Sequence, residues 1–171
     1  MKCKTLDYSF VQKVIYRKVR KNIAWAEYDQ QWLPFNKKID FALNRLNQIP
    51  FSRLKVILLF WEKYEVVQKI FKRNHICNCS LIRDYKVGRR TPGIIEIHFD
   101  ECFDEKLIRT LIKKHYGYEL AKKDSLSLDL IFVFETDGAV TIYHLYDDRG
   151  FQVFYLDQSY VLPSTIIYKK S

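Results

Sequence analysis

Apolar residues open the chain at four-residue spacing, with Leu6, Phe10 and Val14 on one line and Val11, Ile15 and Val19 on the next. Residues four apart share a helical face, so the spacing predicts an amphipathic helix over 7–19. Residues 23–28, with Trp25 and Tyr28, read as a strand, and a turn-like QQWLP follows. Asn36 is placed to cap a helix whose apolar side is Ile39, Ala42, Leu43 and Leu46 and which ends before Pro50. Residues 54–60 form a short, nearly continuous apolar run, as expected of a central strand buried on both faces. A helix over 62–73 should turn Val66, Val67, Ile70 and Phe71 inward, and a strand falls within 75–87.

The loop VGRRTPG, residues 87–93, precedes a period-two segment in which Ile94, Glu96 and His98 alternate with Ile95, Ile97 and Phe99, the pattern of a half-buried strand. Asp104 can cap a helix with Leu107, Ile108, Leu111 and Ile112 on its inner face and Gly117 just beyond its end. Two further strands, 128–135 and 140–146, flank Thr136-Asp137-Gly138-Ala139, a hairpin turn by its Asp-Gly pair. A third strand, 151–156, follows the turn Asp147-Asp148-Arg149-Gly150, where the glycine is available for a left-handed position. The pattern predicts one α+β domain over 1–171, with a mainly antiparallel sheet, helices on one side and a C-terminal three-stranded meander as its most regular edge.

Composition narrows the class. The chain is 48% hydrophobic and 16% aromatic with five Gly and four Pro, which describes a folded globule and excludes a disordered or collagen-like one. The longest unbroken apolar stretch, Val56 to Trp61, is too short to span a bilayer, and the opening residues carry no secretion signal, so a cytoplasmic location is expected. Cys3, Cys77, Cys79 and Cys102 lack the density of a disulfide framework and read as reduced thiols, mostly buried.

A net charge of +9 favours an acidic partner face, anionic lipid or a polyanion without choosing among them. The densest basic group is Lys13, Arg17, Lys18, Arg20 and Lys21, most of it beside Trp25 and Tyr28, with Arg89 and Arg90 on a loop. Arg17, Lys18, Arg20 and Lys21 are therefore the candidate nucleic-acid contacts. Against that reading, no helix-turn-helix, RNP-like or zinc-finger pattern is present.

Candidate chemistry is sparse. His75, Cys77, Cys79, His98 and Cys102 have the residue types of a zinc site, but the spacing departs from common zinc modules. Cys102 near His98 is a nominal nucleophile pair without an orienting third residue. Asp147 with Asp148, and Asp100 with Glu101, are adjacent carboxylates, and neighbours on a strand point apart. The five glycines are scattered and form no phosphate-binding loop, so no cofactor is expected.

The segment Ile142-Tyr143-His144-Leu145-Tyr146-Asp147-Asp148-Arg149-Gly150-Phe151-Gln152-Val153 resembles the His-x-Tyr-Asp-Asp-Arg-Gly strand-turn-strand signature of a family of small bacterial proteins of unknown function. The resemblance covers about a dozen residues. The preceding strand and Asp-Gly hairpin fit the same pattern. After Leu156 the sequence departs from it, since Val161-Leu162-Pro163 leads to Ile166-Ile167-Tyr168 where the family continues into a helix. The resemblance implies a partner-binding role like that of immunity proteins, which block a cognate toxin domain, and it implies no catalytic residue. On that reading Asp147, Asp148, Arg149, Arg89 and Arg90 are the candidate partner contacts, facing an acidic patch on the toxin. The structural reading of the same residues has Arg149 reaching back to Asp147 or to a neighbouring strand, so that a charged turn holds the meander's register.

Overall fold

The computed structural model describes residues 8–16, 23–61, 64–73, 79–82, 93–122, 125–136 and 139–156. The elements in chain order are α1 (Tyr8–Ile15), β1 (Ala24–Asp29), α2 (Phe35–Leu46), β2 (Arg53–Phe60), α3 (Tyr64–Arg73), β3 (Cys79–Ile82), β4 (Gly93–Asp100), α4 (Glu105–Glu119), β5 (Leu128–Thr136), β6 (Ala139–Asp147) and β7 (Gly150–Tyr155). The strands form one sheet in the order β1-β7-β6-β5-β2-β4-β3, and every neighbouring pair is antiparallel. The chain is thus α+β with an antiparallel sheet, and β5, β6 and β7 form the predicted meander. That meander is interior rather than an edge, because β1 pairs along β7 and β2 along β5.

Alternation along the strands divides the sheet into two faces. Leu54, Val56, Leu58 and Phe60 of β2 point to one face with Leu130, Phe132 and Phe134 of β5 and Phe151 and Val153 of β7. The apolar sides of α2 and α4 cover this face, joined by Val67 of α3. Ile57, Leu59, Ile131, Val133, Ile142 and Phe154 point to the other face, where Val11, Val14 and Ile15 of α1 meet them. Helices therefore lie on both sides, contrary to the one-sided layer expected. Once β2 is buried on both faces, its second face needs an apolar cover of its own.

Local chemistry explains the boundaries. The α4 start is as predicted, with Asp104 accepting a hydrogen bond from the Leu107 amide at 3.0 Å. Its end is not at Gly117. The helix continues to Glu119 and closes in a Schellman motif: the Lys122 N–H donates to the Gly117 carbonyl at 2.8 Å and the Ala121 N–H to that of Tyr118 at 3.0 Å. Ala121, at φ 49°, takes the left-handed position that glycine usually fills. Gly117 instead packs closely against Ser125, where a Cβ would sit 3.3 Å from that of Ser125 and require it to shift by a few tenths of an ångström.

Helix α2 begins one residue before Asn36, after Pro34, and no side chain caps it. The predicted half-buried strand β4 is buried on both faces from Ile94 to Ile97, where Glu96 lies 3.7 Å from Lys55 in an ion pair. His98 is the exposed member of the alternation. The predicted inward positions Val66, Ile70 and Phe71 lie outside the described side chains.

Candidate functional site

The motif of the last hairpin forms a corner in which most of the polar side chains are used internally. A bulge between Leu145 and Asp147 sets Asp147 opposite Gly150, and the chain reverses through Asp148 and Arg149. The buried Asp147 carboxylate accepts hydrogen bonds from the Arg149 backbone N–H at 2.8 Å and from its Nε at 2.7 Å, and a terminal guanidinium nitrogen closes a further contact. That hydrogen bonding, with the adjacent negative charge, raises the Arg149 pKa above its ordinary value.

Asp148 turns the opposite way. Its Oδ2 meets Lys38 Nζ of α2 at 2.6 Å, with the two side chains 13% and 7% exposed. The two carboxylates diverge onto separate cations, so the corner presents no converging pair for acid–base chemistry. Gly150 serves close approach rather than a left-handed turn. Its φ lies outside the positive range, and a Cβ would stand 2.3 Å from the Tyr28 carbonyl oxygen.

The corner is bonded to the turn after β1. The Gln30 N–H donates to the Arg149 carbonyl at 2.7 Å, the Leu33 N–H to the Gln30 carbonyl at 3.0 Å, and the Gln31 N–H to Asp29 Oδ1 at 2.9 Å. This double turn holds two large side chains outward. Trp32 is 85% exposed and the Arg149 side chain 71%, although its guanidinium is anchored. The pattern of apolar positions missed Trp32, because a residue outside any period carries no face assignment. Its signal was a tryptophan inside the polar turn QQWLP, which no element can bury. Arg89 and Arg90, and likewise Arg17, Lys18, Arg20 and Lys21, lie outside the described residues.

Behind the corner lie polar groups deep in the fold. The Tyr116 hydroxyl is buried beside the Gln30 side chain, and neither it nor Gln30 Oε1 reaches hydrogen-bond geometry with a partner. Burial holds the Tyr116 hydroxyl protonated far above neutral pH. His115 Nδ1 lies 2.6 Å from the Leu128 carbonyl, and burial lowers its pKa, so the ring is neutral and carries its proton on that nitrogen.

A recess of about 40 Å³ opens near the C-terminal end of α2, between Arg45, Gln48 and Ile49 and Tyr28, Tyr143 and Tyr155. Tyr143 is 1% exposed, and its hydroxyl has no hydrogen-bond partner. Such a group costs about 1–3 kcal/mol. The Arg45 guanidinium lies 5.1 Å over the Tyr28 ring and 5.5 Å over that of Phe41.

The opposite face carries a polar row. His144 Nε2 lies 2.8 Å from Asp129 Oδ1, and the Tyr146 hydroxyl donates to Glu27 at 3.2 Å, with Gln152 Nε2 at 3.4 Å from the same oxygen. Burial and then the Glu27 charge push the Tyr146 pKa up.

Among the described residues the other sequence candidates do not assemble. Cys102 is exposed rather than buried, and it stands ahead of α4. His98 pairs with Glu96 at 3.4 Å. His75 and Cys77 lie outside the described residues, as does the side chain of Cys79. Among the described residues no three His, Cys, Asp or Glu side chains come together to hold a metal ion. No described helix is long and apolar enough to cross a membrane. Searches with family models, among curated proteins and among solved structures each return no match for this chain.

Proposed function

We propose that this chain is a non-enzymatic binding protein of the bacterial cytoplasm that neutralises a cognate toxin domain by covering its active face. The observation that carries the reading is the corner. Its carboxylates are committed to Arg149 and Lys38, while Arg149 and Trp32 stand outward on a frame tied by backbone hydrogen bonds. Tryptophan and arginine are the residue types most often found at the energetic centre of an interface, and a rigid mount lowers the entropy lost when they engage. The resemblance of the same segment to immunity-like proteins points the same way. With a chain charge of +9, the partner face opposite Arg149 should be acidic, which speeds encounter and fixes register.

The test is capture of partners from the native host with tagged full-length protein at low and high salt, the eluate being split for protein and nucleic acid. The expected result is one stoichiometric protein partner retained at high salt and weakened by at least about tenfold in Trp32→Ala or Arg149→Ala. Nucleic acid released by salt, with no protein partner, would instead assign the function to the basic residues around Arg17 to Lys21.

A further inference from the structure

The recess between α2 and the β1–β7–β6 strands has a composition that the corner does not use. Three tyrosine rings form its strand side, and the end of α2 supplies Arg45 and Gln48. Tyr143 cannot swing away to find a partner. Its ring stacks on Phe151 at 4.4 Å and meets Phe132 edge-on at 6.2 Å. Its hydroxyl lies within electrostatic reach of Arg45, Tyr28 and Tyr155, all residues of the recess, and burial keeps it protonated as a donor. Arg45 meets no carboxylate within ion-pair distance among the described residues. Its guanidinium rests on two ring faces and on Gln48 Oε1 at 3.4 Å. Ring and amide contacts of that length are weaker than a charge-assisted fork onto an anion, so Arg45 can exchange them for one.

We propose that this recess binds a carboxylate on a short apolar stem, with the carboxylate on Arg45, the stem between the Tyr28 and Tyr155 rings, and the Tyr143 hydroxyl completing the contact. A planar carboxylate matches the guanidinium fork, and a single cation does not balance a phosphate dianion. The recess is far smaller than a drug-sized cleft, with room for a carboxylate and the start of its stem, which suits a small acid or a single acidic side chain entering through the open mouth. The proposal is independent of the toxin-binding reading.

The test is titration of the full chain, followed by amide NMR shifts, with butyrate and phenylacetate as free acids and with a doubly blocked glutamate as the side-chain source. Phenylacetamide and inorganic phosphate are the controls. The expected result is saturable shifts at the ends of α2 and β7 with carboxylates and none with either control. Tighter binding of the free acids would identify a small metabolite as the source, and tighter binding of blocked glutamate an acidic side chain. Arg45→Gln should abolish binding. Tyr143→Phe should leave thermal stability equal or higher, since it removes an unpartnered hydroxyl, yet weaken binding by about tenfold. Absence of shifts with every carboxylate, equal shifts with phenylacetamide or phosphate, or undiminished binding in both variants would overturn the proposal.

Discussion

The two faces of the sheet come from the same strands and are built differently. The face under α2 and α4 is apolar at its centre, on Phe132, Phe134, Tyr143 and Phe151, whose rings touch in a chain. The face under α1 is apolar in its middle but carries His144, Asp129, Glu27, Tyr146 and Gln152 along one end, each paired with a neighbour in the row. One face gains its stability mainly from packed area and the other partly from polar pairs, so damage to the two should differ in size and in kind.

The largest effect is expected from Phe151→Ala, which removes a fully buried ring from three aromatic contacts and should cost about 4 kcal/mol in denaturant unfolding. A loss below 1 kcal/mol would mean that this face is loosely packed. Next is Lys38→Met, which strands the Asp148 carboxylate in a largely buried site and should cost about 3 kcal/mol. Pairing it with Asp148→Asn should recover part of the loss, whereas additive losses would refute a coupled pair.

On the opposite face Asp129→Asn should cost about 2 kcal/mol, because the charged acceptor for His144 is replaced by a weaker one. A double cycle with His144→Gln would isolate that share.

The smallest effect is in pH. The folded pKa of His115 is depressed by burial, so the unfolded chain takes up a proton first as pH falls. The stabilisation tied to the neutral ring is therefore present above the unfolded value of about 6.5 and is lost below it, at no more than about 1.4 kcal/mol per pH unit. Comparing unfolding at pH 7.5 and 5.5 in wild type and His115→Gln should show a smaller pH dependence in the variant. An identical dependence would place the titration elsewhere.

The elements legible in the sequence were those whose period was strong and whose ends carried local signals. Strand β2 was legible from its nearly continuous apolar run, although its partners β4 and β5 lie far along the chain. The Asp104 cap and the meander over 128–155 rest on contacts between near neighbours in sequence, and such contacts leave a pattern in the string. The reach of Arg149 to Asp147 was foreseeable for the same reason, since the two residues are separated by one position. Within the described residues α1 spans Tyr8–Ile15, and the rest of the pattern to Val19 lies outside them. Periodicity said nothing about Trp32, which belongs to no face.

By itself, then, the sequence determined the α+β class and the antiparallel meander, because those follow from period and turn chemistry, and it offered the Arg149–Asp147 contact as one of two readings of the turn. Only the tertiary structure decided that α1 crosses to the second face, that Lys38 takes Asp148, and that Arg45 comes to lie over Tyr28 beside the unpartnered hydroxyl of Tyr143. Each of these joins residues far apart along the chain. Such meetings depend on the order in which strands line up in the sheet, and no local spacing encodes that order.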